Sequence, residues 1–411
     1  METFLGIVSV VIVASITIRL AKKYKEIALA IASAFVLRAS AALINLYVVT
    51  LPDGGIDAAG FERLAWLWGK GGLIEATSHF FEYGMPWVYS NLASLIYAIF
   101  GRSPLMLQSI SILAGVYCVV LVWKLSIEVW GAQRAAKKSA WLVAIYPILI
   151  LYSSLTMREV FITLLLLYGM LYVVLWVKTR KIINAFIALM AFSLQVLLHP
   201  GMAVASVLFI GLLLLYYIKR FFASLIINSS LNLSSFLVMM FCLLFGLYIS
   251  IYGASLVDVI GYKGWLRVDT LVERSSIMYT GEAAYPSWLI ADTPMQFLLL
   301  LVPKLFYYLF SPFLWDISKF SHLLGMLDGV VFIMLFLLIY SHRKYITSNP
   351  QAFILLVFVI FLSLVFTIAV GNFGTGLRHR SKILPIVIII AAPFIYRVLF
   401  SRRKSKVRIV I

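Results

Sequence analysis

Apolar runs of about twenty residues, the length that crosses a bilayer, recur along the whole chain between short polar stretches. A transmembrane barrel would show segments of about ten residues with alternating polarity, so the pattern predicts crossing helices. Basic clusters between the runs set their direction. Lys22, Lys23 and Lys25 follow the first run, and Arg134, Lys137 and Lys138 the third. Lys178, Arg180 and Lys181, then Lys219 and Arg220, Arg343 and Lys344, and the stretch from Arg402 to Arg408 close later runs. The positive-inside rule makes all of these cytoplasmic. The connections left outside are a long loop from Leu51 to Pro86, tight turns at Met157–Glu159 and His199–Gly201, a second long loop from Val257 to Thr293, and the stretch from Gly371 to Pro385. The expected topology is about eleven crossings, with the N-terminus outside and the C-terminus inside.

Two segments do not fit as crossings. Tyr89 to Phe100 is short and runs into Gly101-Arg102-Ser103-Pro104. Pro303 to Asp316 is interrupted by Lys304, Ser311, Pro312 and Asp316. Both are expected to lie in the outer interface, within external loops spanning 51–103 and 257–319. With no linker-like stretch and no repeat, residues 1–411 read as a single polytopic domain. The first run, Phe4 to Leu20, lacks a basic leader and a small-residue cleavage site, so it reads as a retained span. Composition agrees: 63% of residues are hydrophobic and 12% charged, with a mean hydropathy of +1.04, against roughly a quarter charged in soluble domains. The expected fold class is an all-α transmembrane helix bundle. Its medium is the lipid bilayer, and nothing calls for a nucleic acid. Cys118 and Cys242 both lie in apolar runs and read as packing residues.

The charges at the outer boundary are the candidate chemistry. "GNFGTGLRHRSKILP" packs Arg378, His379, Arg380 and Lys382 into five residues where positive charge is not expected outside. Either the span count is off by one and the loop is cytoplasmic, or these cations hold an anion. Arg and Lys suit a phosphate, and Gly371, Gly374 and Gly376 would let the backbone close around it. The first loop carries acids: Asp53, Asp57, Glu62, Glu75 and Glu82. Asp57, Phe61 and Ala65 fall at i, i+4, i+8, with Leu64 and Trp68 beside them, which predicts an amphipathic helix. Asp57 is then either a first-turn acid stabilised by the helix dipole or a carboxylate able to take a proton from a hydroxyl. Glu62 is the next candidate. Arg158 and Glu159 sit at the second turn, as a mutual ion pair or as site residues. His199 is a helix-end packing residue or faces the same cavity. Arg38 lies inside an apolar run and needs a partner, with Asp57 or Glu62 the candidates. Asp328 is similar, with no partner evident.

The order of these features resembles the GT-C superfamily, integral membrane glycosyltransferases that use polyprenyl-phosphate-linked sugar donors. "DAAGFERLA", Asp57 to Ala65, is similar to that superfamily's acidic loop motif. "PWVYSNLASLIYAIFGRSPLMLQSISILAG", Pro86 to Gly115, resembles its interfacial segment. "YPILILYSSLTMREVFITLLLLYG", Tyr146 to Gly169, resembles a span pair with a charged external turn. "SPFLWD" and "NFGTGLRHRSKILP" resemble segments of bacterial membrane proteins of surface-polysaccharide assembly. The acidic loop follows the second span here, whereas in the family it follows the first. The resemblance implies a GT-C-like bundle that transfers a sugar from a polyprenyl-phosphate- or diphosphate-linked donor to a glycan or lipid acceptor, at the outer face of a bacterial inner membrane. It implies Asp57 as the base of an inverting reaction and Arg158 toward the donor phosphate, with Glu159 orienting. Arg378, His379, Arg380, Lys382 and His199 would line the donor site, and the second long loop, with Arg267, Arg274, Tyr279, Tyr285 and Trp288, would close over sugars. No DxD-like acidic pair is present, so neither metal nor cofactor is expected. A repeat-unit polymerase of the O-antigen type would use the same patches. A lipid-linked oligosaccharide transporter is the alternative from another class; charges clustered at one face and the lack of a repeat argue against it.

Overall fold

The computed structural model of the chain describes residues 1–80, 87–228, 235–241 and 281–395, with a few further positions between 233 and 279. Its described residues are almost wholly helical, and the β contact among them is an isolated bridge between Ala284 and Asn372. In order the helices are α1 (Glu2–Lys23), α2 (Ala28–Tyr47), α3 (Ala59–Gly69), α4 (Leu73–Ser78), α5 (Val88–Phe100), α6 (Pro104–Trp130), α7 (Gln133–Ile145), α8 (Pro147–Ser154), α9 (Glu159–Thr179), α10 (Ile182–Leu198) and α11 (Ala203–Asn228). After the second long loop come α12 (Pro294–Phe310), α13 (Phe320–Ser341), α14 (Arg343–Ser348), α15 (Pro350–Ala369) and α16 (Phe373–Ala391).

Seven of these stretches are long and apolar enough to cross a membrane, eight if α7 and α8, bent by 56°, form one span. α10 has 17 residues, about 26 Å of helix at 1.5 Å per residue, and is a shorter apolar helix of nearly the same length. The crossing expected between Arg220 and Val257 falls outside the described residues, as do Cys242 and the basic tail. α12 begins at Pro294 and packs on α13, α15 and α16, with Lys304 buried and donating to the Ile368 carbonyl at 3.4 Å. The segment expected flat in the interface from Pro303 is therefore the second half of a helix held against the bundle.

Contacts sort the connections into two faces as the topology requires. Glu26 pairs with Lys137, Glu128 with Lys178 at 2.8 Å, and Asn349 donates to the Val129 carbonyl at 3.0 Å; all six lie at the helix ends expected to be cytoplasmic. At the other end Ser103 donates to the Glu2 carbonyl at 2.8 Å.

Arg38 is fully buried, and no acid among the described residues pairs with it. Pro147 lacks an N–H and stops the preceding helix, which orphans the carbonyls of Val143 and Ala144. The Arg38 guanidinium donates to both, at 3.2 and 2.9 Å, and to the Ala34 carbonyl at 3.1 Å and Ser153 Oγ at 2.7 Å. Gly115 makes the room: a Cβ there would stand 2.6 Å from Arg38 Nε. The expected partners Asp57 and Glu62 are thus replaced by backbone oxygens at a helix break. Arg38 holds α8 at its angle.

Arg38→Lys leaves at least one of these buried carbonyls without a donor and is expected to cost about 1–3 kcal/mol, read as a lower unfolding midpoint in detergent. An unchanged midpoint would remove the guanidinium from this role. In a background lacking Cys118 and Cys242, cysteines at Gly60 and Gly374, where an added side chain meets open space or ordinary contact, are expected to react with an impermeant thiol reagent in intact cells. A cysteine at Lys137 is expected to stay unlabelled, and labelling there alone would invert the topology.

Candidate functional site

The stretch read as a basic loop is helix. Asn372 caps it, its side chain accepting from the Thr375 amide at 2.8 Å, the preferred chemistry for a helix start. From Phe373 onward the residues advance about 100° each. Arg378 and Lys382, one turn apart, therefore share a face, while Arg380 points to nearly the opposite side.

Arg378 meets three carboxylates, two from the first loop and one from the start of α9. It pairs with Asp57, stands 3.8 Å from Asp53, and its Nε lies 3.9 Å from Glu159. Asp57 comes from a single turn of helix, Gly54–Ala58, that leads into α3. Asp53, at φ 62°, precedes that turn and accepts a hydrogen bond from Tyr152 of α8 at 3.0 Å. Glu159 opens α9 and is buried. Asp57 and Glu159 are separated by two crossings, so their meeting at one guanidinium puts the first loop, the Met157–Glu159 turn and the start of α16 on one face.

Deeper on the same side of α16, Lys382 Nζ donates to His379 Nδ1 at 3.0 Å. The His379 ring stacks on Phe366 with centroids 4.4 Å apart and meets His199 edge-on at 5.1 Å. His199 is set there by Gln195, one turn earlier, which donates to the Ile162 carbonyl at 3.0 Å and fixes the end of α10 on the start of α9. Arg158 stands over the Phe61 ring at 5.4 Å. Lys382 lies close enough to Glu159, Arg158 and Arg378 for their charges to act on it. Buried polar atoms are normally matched, yet Glu159 Oε2, His199 Nδ1 and Arg378 Nε all lack a hydrogen-bond partner among the described residues. Next to them lies a cavity of about 310 Å³ between α5, α6 and α9, walled by Leu92, Ile96, Leu107, Phe161 and Leu164 and reaching Leu198, the neighbour of His199. Part of the second long loop covers the start of α16: the Tyr285 amide donates to the Gly371 carbonyl and the Phe373 amide to the Ala283 carbonyl, both at 2.9 Å. Burial holds the Tyr285 phenol above its ordinary pKa. Arg267 and Arg274 lie outside the described residues.

Two expected site residues are committed elsewhere. Arg380 is buried in an ion pair with Asp328 of α13 at 2.8 Å and donates to the Leu309 carbonyl at 2.7 Å, which supplies the partner that Asp328 lacked in the sequence. Glu62 is buried too, its two oxygens taken by Arg102 at 2.9 and 3.0 Å and one also by Tyr97 at 2.9 Å. It pins α3 against α5 and the Gly101–Ser103 link that follows it. The site gains Asp53 and Tyr152, which the sequence did not single out. Among the described residues no group of three or more His, Cys, Asp or Glu side chains is placed to hold a metal ion.

No protein-family model matches the chain, and no curated protein is significantly similar to it. Among solved structures it is similar to the archaeal oligosaccharyltransferase AglB from Archaeoglobus fulgidus, in complex with an inhibitory peptide and a dolichol-phosphate, at 16% identity and a TM-score of 0.47. The match covers 94% of this chain and 53% of that one, so the chain spans about half of its neighbour's length.

The Arg380–Asp328 pair has a testable signature. Arg380→Ala leaves a buried, unmatched carboxylate and is expected to cost about 3–5 kcal/mol of stability, whereas Arg380→Met with Asp328→Leu is expected to recover most of it. A stable, correctly inserted Arg380→Ala protein would show that the pair is not needed and return Arg380 to the site.

Proposed function

We propose that the chain is a membrane glycosyltransferase that takes a sugar from a polyprenyl-phosphate- or diphosphate-linked donor at the outer face, in assembly of a bacterial cell-surface polysaccharide or glycoconjugate. The observation that carries this reading is the union, at one face, of a carboxylate–guanidinium cluster holding unmatched polar atoms with an apolar cavity beside it. A soluble anion would have no use for the apolar walls. A lipid phosphate needs both, its head at the cations and the first units of its chain among Leu92, Leu107 and Phe161.

In this reading Arg378 holds the phosphate through a charge-assisted fork, with Arg158, Lys382 and the two histidines around it. Asp57 accepts the proton of the acceptor hydroxyl as its oxygen bonds to the anomeric carbon. The bond from that carbon to the phosphate oxygen breaks, and the phosphate leaves with the electron pair, its charge met by cations already in place. Attack from the side opposite the leaving group inverts the anomeric centre. Tyr152 keeps Asp53 in position beside Arg378, and Glu159 orients the same guanidinium from the other side.

Purified full-length protein is expected to release polyprenyl phosphate or diphosphate from a lipid-linked sugar donor when acceptor is present. Asp57→Asn is expected to lower transfer on the order of a hundredfold or more at an unchanged unfolding midpoint. Near-normal transfer by this variant would remove Asp57 as the base. Movement of the intact lipid-linked sugar across vesicles, without cleavage, would replace the enzyme with a transporter.

A further inference from the structure

Arg378 is the cation best placed for a phosphate, and in the resting structure it is already occupied. The three acids that neutralise it are not equivalent. Glu159 is 2% exposed and fixed at the first position of α9. Asp53 is held in addition by the Tyr152 hydroxyl. Asp57 has a side chain 41% exposed and sits on a one-turn segment, Gly54–Ala58, bordered by Gly60. It is the acid that can leave.

We propose that Arg378 works as an exchangeable latch: at rest it binds Asp57, and the phosphate of the arriving lipid donor takes the place of the Asp57 carboxylate. This rests on the glycosyltransferase reading and adds a rule of order to it. A carboxylate held by a guanidinium is a poor base, because the pair favours its charged form. Once the phosphate takes over the guanidinium, Asp57 is freed beside the sugar, with its proton affinity restored. The base therefore becomes competent only when a donor is bound, and an acceptor arriving first meets a closed site. The exchange keeps Arg378 neutralised throughout, as a half-buried cation at a membrane boundary requires.

The latch makes an unusual demand: losing the acid should strengthen binding. While Asp57 holds Arg378, apparent phosphate affinity is reduced by the fraction of molecules in the open state. A long-chain polyprenyl monophosphate titrated into the full-length protein in detergent is the probe, and it needs no sugar and no turnover. Asp57→Asn is expected to bind it about threefold to tenfold more tightly, the range set by a partly exposed ion pair. Removing a negative charge could also help any anion through space. Asp53→Asn controls for this, since Asp53 touches the same guanidinium but is not displaced, and it is expected to tighten binding far less. In an Arg378→Gln background, Asp57→Asn is expected to change nothing, because the partner it competes for is gone. Weaker or unchanged binding by Asp57→Asn overturns the latch while leaving the transferase reading intact. So does equal tightening by the two Asp variants, or tightening that persists without Arg378. A wild-type protein and variants that all fail to bind the lipid phosphate would overturn the donor reading itself, and the latch with it.

Discussion

Four cationic or imidazole side chains in five residues, on a helix packed within a membrane bundle, can be tolerated in one place only: surrounded by protein. Facing lipid, each charge would cost several kcal/mol. α16 is accordingly the central helix, with every residue from His379 to Ala391 buried and contacts to α6, α7, α8, α9, α12, α13 and α15. The structure is arranged so that each of its charges meets a hydrogen-bonding or ionic partner. Asp328 on α13 answers Arg380, the first loop and the start of α9 answer Arg378, and His379 answers Lys382. The bundle is organised around neutralising one segment.

Helical periodicity divides that segment's labour. Two residues along a helix turn by about 200°, so Arg378 and Arg380 cannot serve the same site. One side of α16 carries an inward ion pair whose removal leaves a bare charge in the core. The other side carries cations whose partners come from the ends of helices, where the solvent-facing loops meet the bundle. Stability and chemistry are thus separated by half a helical turn, and the two arginines of "RHR" belong to different parts of the molecule.

The all-helical bundle and the convergence of Asp57, Arg158, Glu159, His199 and Arg378 were legible because they depend on length, hydropathy and the order of apolar runs, all of which are read along the chain without knowing any side-chain partner. The partners of Arg38, Glu62 and Asp328 were not. Arg38 is matched by backbone carbonyls, which every residue possesses and no residue type advertises; the clue was Pro147 in an apolar run, which guarantees orphaned carbonyls one turn before it. Treating Gly371 to Pro385 as a loop hid the split between Arg378 and Arg380. The helix signal was present in Asn372, a capping residue ahead of a long apolar stretch, but the three glycines outweighed it. Tyr152 and Asp53 lie 99 positions apart in segments that only the bend at Pro147 brings together.

Arg38, fully buried, and Arg378, half-buried, show what distinguishes a structural cation from a working one. Arg38 donates to neutral carbonyls fixed by the backbone and to a serine, each supplied by a helix that cannot move without breaking its own hydrogen bonds. An incoming anion would have to displace groups that have nowhere else to go. Arg378 is matched by carboxylates on side chains, and one of them, Asp57, is exposed on a one-turn segment and can be solvated once released. A phosphate offers the guanidinium the same planar fork with more charge, so the exchange costs little and can be reversed. Both arginines are paid for by oxygen, but only the second has a partner that can be replaced, and that difference places the chemistry at α16 and leaves Arg38 to hold the frame.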